Sequence, residues 1–167
     1  SFGVSRGSLV AMSALEKRKS DVPEDLDWNN VSQEWEVDCF SRPIMREGKK
    51  LWELCVTDAN GIYRRVAQMK PSRVNSVVVQ KLLMIFIDES KVKPRSIRFF
   101  RKVMANMLTV AMSAIQNEVK YMDKLKIIPS RNCHMLRLWL NYRERQVYPK
   151  MEGFVLTAKR KSTSVSA

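Results

Sequence analysis

Three carboxylates, Glu34, Glu36 and Asp38, alternate along a short stretch, so an extended chain projects them to one side. Carboxylates so placed serve paired acid–base catalysis, or open a two-metal site in which several acids stabilise the attacking and leaving oxygens. A nuclease of that kind needs further acids from the next helix and from the end of the fourth strand. The stretch Ser72–Ile87 contains none, and Asp88 and Glu89 come only at its far end. After the fourth strand the chain reads Phe100-Arg101-Lys102, where cations repel metal ions. Asp38 with Asp58 or Glu89 is the nuclease constellation that remains. The plainer reading of the acids is a solvated face with local ion pairs to Arg42 and nearby lysines. There is no GxSxG, Walker A or GxGxxG motif. Cys39, Cys55 and Cys133 share no CxxC spacing and read as reduced, partly buried thiols, and His134 is the only histidine. The expectation is a protein with no catalytic residues, no metal and no cofactor.

Cations carry the stronger signal. The 167 residues hold 30 Lys and Arg against 17 Asp and Glu, a net charge of +13. The imbalance lies in residues 62–167, with 22 basic and six acidic side chains, whereas residues 1–61 are slightly acidic. Such asymmetry points to a polyanion, because neutralised phosphates release counterions and drive association. Arg95, Arg98, Arg101 and Lys102 crowd the fourth strand and the helix start after it, and Arg131 opens the last helix. If the fourth and fifth strands are parallel neighbours, Arg101, Lys102 and Arg131 converge at their carboxyl ends, where open α/β sheets bind ligands. Arg137 and Arg145 fall on one side of the last helix with His134, Asn141 and Glu144, while Met135, Leu138, Trp139 and Tyr142 lie towards the other. Trp35, Trp52 and Trp139 sit at core phases and read as packing rather than as base-stacking platforms.

Periodicity supplies the elements that position these residues. Residues 1–20, small, hydroxylated and basic, read as a transit-peptide remnant or a disordered arm, and Asp21–Asp27 as an acidic linker, with Trp28 outside the fold. Glu34–Met45 alternates as a strand, Arg46–Lys50 is a hairpin connection with Gly48 free to take positive φ, and Leu51–Thr57 is a second strand. Asp58-Ala-Asn-Gly61 predicts a tight turn into a third strand, Ile62–Met69. Ser72 is the expected N-cap of a helix to Ile87, followed by a strand at Ser96–Phe100. A second helix is expected from Arg101 to about Lys120, burying Met104, Met107, Leu108, Ala111, Met112 and Ile115. Leu125–Ile128 is a fifth strand, and Ser130 caps a third helix, Arg131–Val147, ended by Pro149. The order β-β-β-α-β-α-β-α implies an α/β domain with a mixed sheet, ribonuclease H-like in arrangement, or another mixed α/β sandwich with the same element count. The domain spans residues 34–153, with a basic tail over 154–167. No apolar run approaches the ~20 residues that span a bilayer.

The segments Trp35-Glu-Val-Asp-Cys-Phe-Ser-Arg-Pro-Ile44, Gly48-Lys-Lys-Leu-Trp-Glu-Leu54, Val74-Asn-Ser76, Ile97-Arg-Phe-Phe-Arg101, Met104 with Asn106-Met107, Pro129-Ser-Arg131, Trp139-Leu140 and Val147-Tyr-Pro-Lys-Met-Glu-Gly153 resemble, in this order, the Tab/Atab family of cyanobacterial and chloroplast RNA-binding proteins. The resemblance covers about residues 34–153. It implies a plastid protein of the chloroplast stroma that binds a photosystem messenger leader and promotes its translation and photosystem biogenesis, without catalytic residues or cofactor. Arg42, Arg98, Arg101 and Arg131 are the basic residues inside the matching motifs and head the expected RNA contacts. Members of the family continue into a second region of comparable size, and the residues after Phe154 depart from its pattern. That departure keeps a second expectation open, a basic module bound to proteins of a plastid translation or transcription assembly.

Overall fold

The computed structural model describes residues 22–118 and 124–156. The expected arm over residues 1–20, the end of the second helix at Lys120 and most of the basic tail lie outside the described residues. The chain forms a mixed α/β fold. Strands β1 (Glu34–Arg46), β2 (Lys49–Asp58) and β3 (Arg64–Met69) are followed by helix α1 (Ser76–Glu89) and strand β4 (Ser96–Phe99). Helix α2 (Ala105–Glu118), strand β5 (Lys126–Pro129) and helix α3 (His134–Tyr142) complete it, with a π-turn (Arg143–Val147) and a 3-10 turn (Tyr148–Lys150) extending α3.

The five strands form one sheet in the order β3-β2-β1-β4-β5. β1, β2 and β3 are an antiparallel meander, while β4 joins β1, and β5 joins β4, in parallel. Glu47 and Gly48, both at positive φ, form the two-residue β1–β2 turn, the backbone geometry that matches sheet twist. The β2–β3 connection is wider than the expected tight Asn-Gly turn, because the last ladder pair is Thr57↔Arg64. Asp58 organises it. Its buried carboxylate accepts the backbone N–H groups of Ile62 and Tyr63 on one oxygen, and of Ser32 and Asn60 on the other, at 2.7–3.2 Å. One side chain thus satisfies donors that the turn would otherwise leave buried and unpaired.

Alternation along the strands separates two faces. Trp35, Val37, Cys39, Leu54, Val56, Ala67, Ile97 and Phe99 pack under α1 and α2, whose Val79, Leu83, Phe86, Leu108, Met112 and Ile115 are buried against them. Met104 and Ala111 are buried as expected, and Met107 is partly so. Packing begins ahead of Glu34: Val31 is buried, and Trp28 stacks on Tyr63 with ring centroids 5.5 Å apart. Helix α1 starts later than Ser72, since Pro71–Arg73 is a 3-10 turn and Asn75 is the N-cap, accepting from Val78 N at 3.0 Å. The opposite face is covered by α3, where Cys55, Cys133, Leu136, Trp139 and Leu140 form a smaller cluster.

Candidate nucleic-acid interface

Under α3 the sheet carries charge. Of the three acids that the sequence suggests as a solvated face, Glu34 is exposed and pairs with Arg98, whereas Asp38, 1% exposed, and Glu36, 2%, are interior, as is Glu53 of β2. Register explains their company: Asp38 stands opposite Cys55, and Phe40 opposite Glu53. Arg42 donates from Nη2 to Asp38 Oδ2 at 2.9 Å and from Nε to Glu53 Oε1 at 3.3 Å. Arg143, from the π-turn after α3, reaches Glu53 Oε2 at 2.7 Å, and the Tyr148 hydroxyl donates to Glu53 Oε1 at 2.6 Å. The second oxygen of Asp38 takes Arg101 Nε at 2.7 Å. Burial pushes the Tyr148 hydroxyl pKa up, and it pushes the thiols up as well, Cys39 to about 12 and Cys55 and Cys133 to about 11. All three thiols therefore stay protonated at neutral pH and are poor nucleophiles.

Glu36 does something else. Its Oε1 accepts the Leu136 backbone N–H at 2.9 Å, so a β1 carboxylate caps the N-terminus of α3 across 100 residues of sequence. Burial raises the Glu36 pKa, partly offset by that backbone donor. Ser130, the expected cap of α3, instead accepts the Asn132 N–H at 3.0 Å, and the helix starts at His134.

No metal-sized group of three His, Cys, Asp or Glu side chains occurs among the described residues. The suggested Asp38–Asp58 and Asp38–Glu89 pairings are not assembled. Asp58 stands opposite Trp35 and therefore faces away from Asp38, its oxygens hold backbone amides, and Glu89 pairs with Arg65 at 2.6 Å.

The expected RNA-contacting cations divide into four groups. Arg42 is 4% exposed and committed to Asp38 and Glu53, which puts it out of a ligand's reach. Arg98, Arg101, Lys102 and Arg131 come together where the parallel strands β4 and β5 end, with the two chain exits joined by Ser130 N on Phe99 O at 2.9 Å. There Lys102 and Arg131 are exposed, while Arg98 is half-buried, paired with Glu34 and donating to Asn132 O at 3.3 Å. Arg137 is exposed one turn into α3, and Arg145 lies farther along, its Nε on Asn141 O at 3.3 Å. Arg95 is exposed at the opposite end of β4 and does not join the cluster.

Trp139 is buried as expected, but the sequence reading missed that Leu136, Leu140 and Arg143 turn inward with it, leaving Leu138 and Tyr142 half exposed. The signal was present as i, i+3, i+4, i+7 spacing, but its last member is an arginine. It also missed that Arg101 lies against aromatic rings, 4.1 Å from the Phe40 centroid and 5.0 Å from that of Phe100.

The family model described as RNA-binding protein Tab2/Atab2 N terminal matches residues 34–143. Protein TAB2 homolog, chloroplastic, of Arabidopsis thaliana is 36% identical over 125 residues, covering 73% of this chain and 31% of that protein. The protein of the same name from Zea mays is 35% identical over 132 residues, covering 78% and 32%. The chain thus spans about a third of the length of these curated relatives. Among solved structures, a chain of the simian T-cell lymphotropic virus intasome in complex with PP2A regulatory subunit B56 gamma aligns over 75% of this chain and 41% of its own. Its TM-score is 0.44 and its identity 11%, a likeness too slight to carry an argument.

Proposed function

The chain belongs to the Tab2/Atab2 N-terminal family, and from that membership we propose that it is a non-catalytic RNA-binding domain of a chloroplast translation factor. Its RNA is a photosystem messenger leader in the stroma, whose translation it promotes in photosystem biogenesis. The observation that carries this reading is the gathering of Arg98, Arg101, Lys102 and Arg131 at one sheet edge. Cations at the carboxyl ends of parallel strands, beside two chain exits into helical turns, suit a phosphate backbone. Arg137 and Arg145 extend the surface along α3, and Arg95 supplies a more distant contact. Arg42 serves the fold instead. A non-catalytic role is supported by Asp38, whose two oxygens are both held by guanidinium groups. The sheet order, an antiparallel meander joined in parallel to two further strands, supports the ribonuclease H-like reading of the fold.

Titration of the 167-residue chain with a photosystem-messenger leader and a scrambled RNA tests the proposal. Four phosphate contacts to a single strand predict about a fiftyfold loss of affinity between about 50 and 200 mM salt. Lys102→Glu with Arg131→Glu, both exposed positions, is expected to weaken binding by about tenfold or more at the lower salt with the melting temperature unchanged. Wild-type protein that binds neither RNA at low salt overturns the reading and leaves the basic edge to an acidic protein partner. Leader and scramble bound equally at the higher salt would remove the sequence-selective role.

A further inference from the structure

Beside the cationic edge, four planar side chains stand in a row. Trp52 of β2 meets Phe40 of β1 with ring centroids 5.7 Å apart, Phe40 meets the Arg101 guanidinium at 4.1 Å, and Arg101 meets Phe100 at 5.0 Å. None of the four is fully buried. The row forms where β4 stops: the β1–β4 ladder ends at Val37↔Phe99, so Phe40 lies beyond its cover and Arg101 crosses over it. Core packing accounts for part of the arrangement, since Phe40 and Trp52 border the larger core and Phe100 the smaller one. Packing does not account for a guanidinium placed between two rings at a rim, its side chain 30% exposed. Only its Nε is engaged, on Asp38, and Asp38 is itself held by Arg42. Arg101 is therefore fixed at its root, and its terminal nitrogens make no hydrogen bond among the described residues.

We propose that this row seats unpaired nucleobases of a single-stranded RNA segment. One or two bases stack on Arg101 and its flanking rings while Lys102, Arg98 and Arg131 hold the adjoining phosphates. The inference rests on the RNA-binding reading and adds to it the class of RNA, because a duplex hides the base faces that stacking requires. Asp38 is a positioning residue in this scheme: it touches no base and fixes the plane of Arg101.

The test compares the 167-residue chain on three labelled probes of about ten nucleotides, within the usual site size of single-strand binders: oligouridylate, an abasic oligoribonucleotide, and an RNA duplex. Oligouridylate is expected to bind about tenfold or more tighter than the abasic strand, since each stacked base contributes on that scale. Phe100→Leu should reduce that preference severalfold while leaving abasic-strand affinity and its salt dependence unchanged, and Phe100→Tyr should retain it. Equal wild-type affinity for oligouridylate and the abasic strand overturns the stack without any variant, so a poorly folding mutant cannot hide the answer. A Phe100→Leu protein of unchanged melting temperature that weakens both strands alike overturns it too. If those results come with binding that Lys102→Glu and Arg131→Glu still weaken, only the stack falls. Binding of no probe at all removes the RNA reading and the stack together.

Discussion

The two faces of one sheet are held by different forces. Under α1 and α2, apolar side chains interlock, and neighbours such as Val37, Leu54, Leu83 and Ile97 are interchangeable in kind. Under α3, Asp38, Glu53, Arg42, Arg143 and Tyr148 form a closed set of directional bonds, with Glu36 fastening the helix start. The first face gains from area removed from water wherever the atoms fit. The second is satisfied only when each partner is present, because an unpaired buried charge costs more than a good pair contributes. Apolar packing therefore supplies the stability, and the ionic face specifies how α3 sits. That orientation in turn sets where Arg137 and Arg145 emerge, while Asp38 of the same ionic face pins Arg101 beside the basic edge.

Removing Glu53 breaks the ionic face most severely. Glu53→Ala strands Arg143 and half of Arg42, and a loss of about 3–5 kcal/mol in denaturant unfolding is expected. Adding Arg143→Met should recover part of it, with a coupling of about 0.5–3 kcal/mol. Leu83→Ala, a loss of about 2–5 kcal/mol on the apolar face, should add to Glu53→Ala without coupling. Equal additivity in both pairs would erase the distinction between the faces.

The helix starts sharpen the same contrast on a smaller scale. α1 is capped by its own neighbour, so Asn75→Ala should cost about 1 kcal/mol in thermal unfolding and Ser72→Ala close to nothing. α3 is capped from β1 by Glu36, whose raised pKa carries a pH dependence. Folded protein holds the Glu36 proton more tightly than unfolded chain, so the group's contribution is fully present below the unfolded pKa and declines as pH rises towards the folded one. Glu36→Gln cannot titrate, so its stability relative to wild type should rise with pH from the acidic range to neutral. A constant difference across that range would show that Glu36 titrates as it does in the unfolded chain.

Much of the apolar face was legible in residue order alone. Alternation marked β1 to β3, 3.6-residue spacing marked the buried stripe of α2, and Gly48 marked the first hairpin, all features that depend on near neighbours. The basic composition of residues 62–167 was equally plain. The ionic face was not, although Asp38 and Arg42, four residues apart on one strand, were readable as a local pair. Nothing in residue order singled out Arg143, and Glu36 looked like a surface acid. Their partners lie 90 and 100 residues away along the chain. The sequence by itself determined which segments become strands and helices, where one core lies and that the molecule is a polycation. Only the tertiary structure decided which face α3 turns inward, which arginines are spent on carboxylates and which reach the edge. The reason is that hydrophobic burial repeats with local backbone geometry, whereas a buried charge is tolerated only where the fold brings its counterpart.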